Sequence, residues 1–178
     1  MSKLKIVLLV ILGLVAIVAA GAGMGAYDRT LVSWTVPLAI GVVGAGVSSP
    51  LAMTMWPKLT GETSRWINAA AHAAFFGILF PAGFLILNSV FTDKSTSVKE
   101  QVEVVAKYQK QHQSSNGGRR HHRAGRKWTT YHVTIRFGNG VERTEGVTLS
   151  RYNRIRSGSQ MNVTLETGLF GPQVITRF

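Results

Sequence analysis

Three apolar runs in the first half of the chain constrain its fold more than any other feature. Uncharged stretches of this length need either a bilayer or the core of a protein far larger than 178 residues. The first run, residues 4–26, carries no charge after Lys5, and the second and third, residues 30–56 and 66–91, carry no Lys, Arg, Asp or Glu. Since about 20 residues at 1.5 Å each cover a hydrocarbon core of about 30 Å, each run is expected to cross once. Residues 1–93 thus form a three-helix transmembrane domain. A cleaved signal peptide competes for the first run, because Lys3 and Lys5 make a basic start and Ala19 to Ala26 is rich in small residues. The run exceeds the usual apolar core of such a peptide, about 7–15 residues, which favours a span. Pro37 and Pro50 should kink the second run and Pro81 bend the third. Trp34, Trp56 and Trp66 flank the runs, where interfacial tryptophans belong.

Within the runs, small residues recur four apart: Gly21 and Gly25, then Gly41, Ala45 and Ser49, with Gly44 and Ser48 beside them, and Ala69, Ala73 and Gly77. Such stripes allow helices to approach closely. Packing of the three helices on one another accounts for them, and a homo-oligomer or partner subunit is the alternative. Asn68 and His72 fall on one face of the third helix, where an interhelical hydrogen bond is the expected role and a proton relay the alternative. The loop charges tie: Lys3, Lys5, Lys58 and Arg65 on one side, Arg29, Lys94, Lys99 and Lys107 on the other. The first helix usually decides orientation, which puts the N-terminus in the cytoplasm and, after three crossings, the second half outside it.

Charge separates the halves. Residues 94–178 hold fifteen of the twenty Lys/Arg and five of the eight Asp/Glu, hence ten of the net twelve positive charges. This half favours polyanions, among which anionic lipid and an acidic protein are preferred and nucleic acid is disfavoured for a tethered domain. The chain has no cysteine, which removes disulfides, thiol catalysis and thiolate metal sites.

Residues 94–178 read as a small all-β domain. Val102, Val104, Ala106 and Tyr108 alternate with polar residues, as do Tyr131, Val133, Ile135 and Phe137, and these two strands should pair. Asn139-Gly140 signals a hairpin with a primed turn. Ser150 can cap a helical turn through Ile155, closed by Gly158, before strands at Met161 to Leu165 and Val174 to Ile175. Five strands suggest an antiparallel sheet, barrel-like or rolled. Between the first two lies a loop at 114–127 without apolar periodicity, expected to be mobile. Its Arg119, Arg120, His121, His122, Arg123, Arg126 and Lys127, with Trp128, form the candidate contact for an anion or partner. A solvated hairpin tip is the competing reading. A metal is not expected, because adjacent histidines diverge on extended backbone and five basic residues repel a cation.

Tyr152-Asn-Arg-Ile155, Ser157-Gly158-Ser-Gln-Met161-Asn-Val163 and Gly168-Leu-Phe170-Gly171-Pro172 resemble the end of a bacterial family of uncharacterised, membrane-anchored small β-domain proteins. The resemblance covers at most the last 30 residues and implies a membrane-anchored β-domain with no assigned chemistry. The Arg-His loop and the three spans depart from that pattern. No nucleophile elbow, phosphate-binding glycine loop or His-Glu metal helix occurs, so no enzyme activity and no cofactor is expected. The sequence thus points to a membrane protein that binds a partner or an anionic surface. An accessory or immunity-type subunit and a small oligomeric transporter or channel are the alternatives.

Overall fold

The computed structural model describes residues 3–114 and 127–177. Packing divides the chain into two compact units: residues up to Ser97 with Glu166–Ile175, and Val98–Leu165 with the residues from Thr176. This partition differs from the compositional one at residue 93, because the segment around residues 168–172 packs with the helices.

The helical unit begins with α1 (Lys3–Arg29), followed by α2 (Thr35–Val47), α3 (Pro50–Thr60) and α4 (Arg65–Val90). At 1.5 Å per residue, α1 and α4 are each about 40 Å long. Both are long and apolar enough to cross a membrane, and α2 with α3 would make a third crossing if the pair is one span. The expected kink in the second run is a break with a 78° bend. Pro50 lacks the N–H that would continue α2, and Ser48 turns its hydroxyl back onto the Gly44 carbonyl at 2.7 Å, a bond that bends helices. Pro37 sits in the first turn of α2, where no N–H is missed, and α4 continues as one helix through Pro81.

Absent side chains let the helices approach. A Cβ on Gly23 would lie 2.9 Å from the Cα of Ala82, and one on Gly41 would lie 2.8 Å from the Gly77 carbonyl oxygen. Ala26, Val32 and Leu85 form a small buried cluster. Gly23 against Ala82 and Ala26 against Leu85 make α1 and α4 parallel. The contacts of α4 with α2 and α3 run the other way, from Gly41 near Gly77 to Thr60 near Asn68.

The strands are β1 (Asp93–Gln113), β2 (Lys127–Arg136), β3 (Glu142–Val147), β4 (Gln160–Thr167) and β5 (Gln173–Arg177). They form one antiparallel sheet in the order β3-β2-β1-β4-β5, which is not closed, and β5 also pairs with the segment after α1 through a Thr30–Val174 bridge and the Leu31 N–H to the Gln173 carbonyl at 2.8 Å. The second unit buries Val102, Val104, Val133, Ile135, Phe137, Val163 and Leu165. The expected alternation in β1 holds only as far as Val104. A bulge between Val104 and Ala106 reverses the pleat, so Lys107 opposes Val133 while Ala106 and Tyr108 leave the core face. The β2–β3 turn also differs from expectation. Only Gly140 takes positive φ (81°), and Asn139 accepts the Val141 N–H at 3.0 Å, giving a type I turn closed by a left-handed glycine instead of a primed turn. The helical turn, α5 (Leu149–Arg154), is capped by Thr148, not Ser150, with Gly158 at φ 79° beyond it.

Candidate functional site

Two places gather polar chemistry, one in each unit. In the helical unit, Asn68 and His72 lie one turn apart on the face of α4 turned to α3, and both are buried. The Trp56 indole N–H, which can only donate, reaches His72 Nδ1 at 3.2 Å, so that nitrogen is bare and the ring proton sits on Nε2. Nε2–H then donates to Ser48 Oγ at 3.0 Å, and Ser48 donates onward to the Gly44 carbonyl. His72 therefore pins both sides of the α2–α3 break to α4. Asn68 Nδ2 donates to the Glu62 carbonyl at 2.8 Å, and the Thr60 hydroxyl stands 3.4 Å from Asn68 Oδ1. The histidine and the asparagine thus have the hydrogen-bonding surroundings expected of structural polar residues in a helix bundle.

Beside His72 opens a cavity of about 850 Å³, walled by Gly41, Ala45, Ala69, Ala73 and Gly77. The structure thus brings two of the small-residue stripes to one space. Gly44 is used differently, with the Phe80 ring filling the place of its missing side chain. Gly21 and Gly25 have nothing within 4 Å where a Cβ would stand, and the α1 contact is made by Gly23, which points about 200° away around the helix at about 100° per residue. Trp34 and Trp66 are exposed, whereas Trp56, expected at an interface, is 5% exposed and serves His72. Asn88, buried near the end of α4, was not anticipated; a lone Asn in an apolar run was its only signal.

In the second unit, the bulge in β1 brings Tyr108, Lys110 and His112 to the outer face of the β1–β2 hairpin, opposite His132, Thr130 and Trp128. Tyr108 stacks on His132 (centroids 5.1 Å, planes 16° apart) and His112 on Trp128 (5.3 Å, 8°). Both imidazole Nε2 atoms lie 3.0 Å from Thr130 Oγ1, which links the two stacks. Tyr108 and Trp128 are each 47% exposed. On the opposite face, Lys107 donates to the Tyr152 and Ile155 carbonyls at 3.2 and 3.0 Å, with its ammonium 4.5 Å from the Tyr152 ring centre. At the hairpin's other end, Glu142 accepts two hydrogen bonds from Arg136 and raises the guanidinium pKa further. Of the expected contact residues, Lys127 and Trp128 are seen on β2, while Arg119, Arg120, His121, His122, Arg123 and Arg126 lie outside the described residues. Among the described residues, no three His, Asp or Glu side chains gather as a metal site would require.

No family model, curated protein or solved structure matches the chain.

Proposed function

We propose that this chain is a non-enzymatic, multi-pass membrane protein that binds an acidic protein partner or an anionic membrane surface through the outer face of its β1–β2 hairpin. The observation that carries the reading is the paired stacks of Tyr108 on His132 and His112 on Trp128. They stand with Lys110 on a face of the hairpin whose loop adds four arginines and whose second strand starts at Lys127, turned to the other face, and none of the six paired face residues is acidic. Exposed aromatics beside fixed cations suit a surface with acidic groups, each cation contributing about 1 kcal/mol near anionic lipid.

Three crossings are favoured by helix direction. Two parallel helices that both cross a bilayer need a return crossing between them, and α2 with α3 is the segment that joins them. In the preferred arrangement the N-terminus is in the cytoplasm of a bacterium and the sheet lies on the far side of the inner membrane. Reporters fused at Phe178, one active only in the cytoplasm and one only outside it, test the side.

Replacing Lys110 and Lys127 by Glu and deleting residues 119–126 should reduce sedimentation with anionic liposomes, or recovery of the protein partner, by about tenfold or more at moderate salt. Unchanged behaviour in both assays would remove the reading. The accessory-subunit alternative retains one supporting observation, the cavity on which two small-residue stripes converge. Under it, Ala73→Leu abolishes co-purification of a membrane partner while the hairpin variants do not.

A further inference from the structure

The segment joining β4 to β5, Gly168 to Pro172, is built unlike a turn that faces water. Gly168, Gly171 and Pro172 are ordinary turn residues, but the tip between them is Leu169 and Phe170, 55% and 50% exposed, where a turn in water favours Asn, Asp or Ser. Its backbone is closed on itself, Gly168 N–H to the Pro172 carbonyl and Gly171 N–H to the Gly168 carbonyl, both at 3.0 Å. The fully buried Asn88 side chain completes it, accepting from Phe170 N–H at 3.0 Å and donating to the Pro172 carbonyl at 3.1 Å. Gly168 lies against the Asn88 amide so closely that no side chain fits.

The turn also lies alongside α4 rather than beyond its end. Phe170 stacks on Phe84 with ring centres 5.1 Å apart and planes at 23°. Phe84 is six residues before the helix end at Val90, about 9 Å back along the axis at 1.5 Å per residue. Near it Leu87 of α4 and Phe91 just past its end are exposed, so the apolar surface of the turn continues that of the helix.

We infer that Leu169 and Phe170 form a wedge inserted into the bilayer beside α4, with the lipid acyl boundary as its partner. The inference rests on the reading of α4 as a membrane span. Irregular backbone survives in lipid only when its polar groups are satisfied; Asn88 and the internal bonds of the turn satisfy three of its four N–H groups and two of its five carbonyls, which suits the acyl boundary, where headgroups and water reach the rest, and not the hydrocarbon centre. The turn reaches back along α4 by about 9 Å from the helix end, a distance comparable to the depth of about 5–10 Å that interfacial apolar segments penetrate.

The chain has no cysteine, so single nitroxide labels can be placed at Leu169→Cys and, as a reference within α1, at Val15→Cys in the full-length protein in phosphatidylcholine vesicles. Oxygen concentrates in hydrocarbon and a nickel chelate in water. The label at 169 should collide with oxygen several-fold more than with the chelate, as should the one at 15. A chelate-dominated signal at 169 with an oxygen-dominated signal at 15 overturns the wedge and leaves the spans intact. Chelate dominance at both sites overturns the spans and the wedge together.

Discussion

The helical unit and the sheet unit bury their polar groups by opposite means. In the helices, contact depends on side chains that are missing, at Gly23, Gly41 and Gly168, and the buried polar side chains Asn68, His72 and Asn88 are all hydrogen-bonded. In the sheet, contact depends on seven bulky side chains from Val102 to Leu165, while the histidines, Thr130 and most cations stay at the surface. If α1 and α4 cross a bilayer, as proposed, lipid gives them nothing for hiding apolar area, and close approach and paired polar groups must hold them together. A sheet in water gains about 25 cal/mol for each Å² of apolar surface it covers and does not need buried polar bonds. The two units should therefore fail under different substitutions.

Gly23→Leu should have the largest effect. Even a Cβ would press on the Ala82 backbone, so the longer side chain must push α1 off α4. The cost is about 3 kcal/mol, at the upper end for overpacking, and should lower the melting midpoint of the detergent-solubilised chain by about 6–12 °C. Gly21→Leu, with open space around it, should leave the midpoint unchanged. Equal effects at both positions would break the comparison, because close approach would then not be what joins these helices.

His72→Ala comes next, at about 2–3 kcal/mol, since it leaves the Trp56 N–H without an acceptor in a site where both residues are at most 5% exposed. His72→Phe restores volume but not the acceptor and should recover less than half of the loss. Full recovery by Phe would show that the ring is held by packing alone, making the two units more alike than described.

How far the sequence disclosed these devices depended on whether local periodicity or distant geometry created them. Asn68 and His72 were legible as a pair because residues four apart share a helix face at any bend. The service of Trp56 to His72 was not, since Trp56 follows the 78° break between Val47 and Pro50, which local periodicity does not place. The glycines Gly21, Gly23 and Gly25 were all visible, but the phase that turns Gly23 inward is set by Ala82 on another helix. In the sheet, strict alternation placed Tyr108 inside and Lys107 outside, and one extra residue at the bulge exchanged them. Asn88 was hidden because its partners, Phe170 and Pro172, are more than eighty residues away.

That exchange yields the third prediction. Lys107 lies on the core side of β1, with two carbonyls and the Tyr152 ring around its ammonium. Lys107→Met keeps the aliphatic stem and removes the charge, and should cost about 1–2 kcal/mol. A stable Met variant would place this lysine with the solvated cations. Loosened contacts of α5 with β2, read as faster amide exchange at residues 151–155, would mark it as a structural cation of the hairpin.

The smallest stability effect is expected where the proposed binding effect is large. Trp128 is half exposed and, among the described residues, stacks on His112, so Trp128→Ala should cost about 0.5–1 kcal/mol and leave the melting midpoint nearly unchanged. Its ring nevertheless offers the broadest flat surface on the outer face, and its loss also frees His112 from one wall of the stack. Binding of the intact chain to anionic vesicles or to its protein partner should fall several-fold, with Trp128→Phe retaining most of it. A parallel fall in stability and binding would instead make the stacks a brace for the hairpin, and the outer face would then resemble the site in the helical unit where Trp56, His72 and Ser48 hold the fold together.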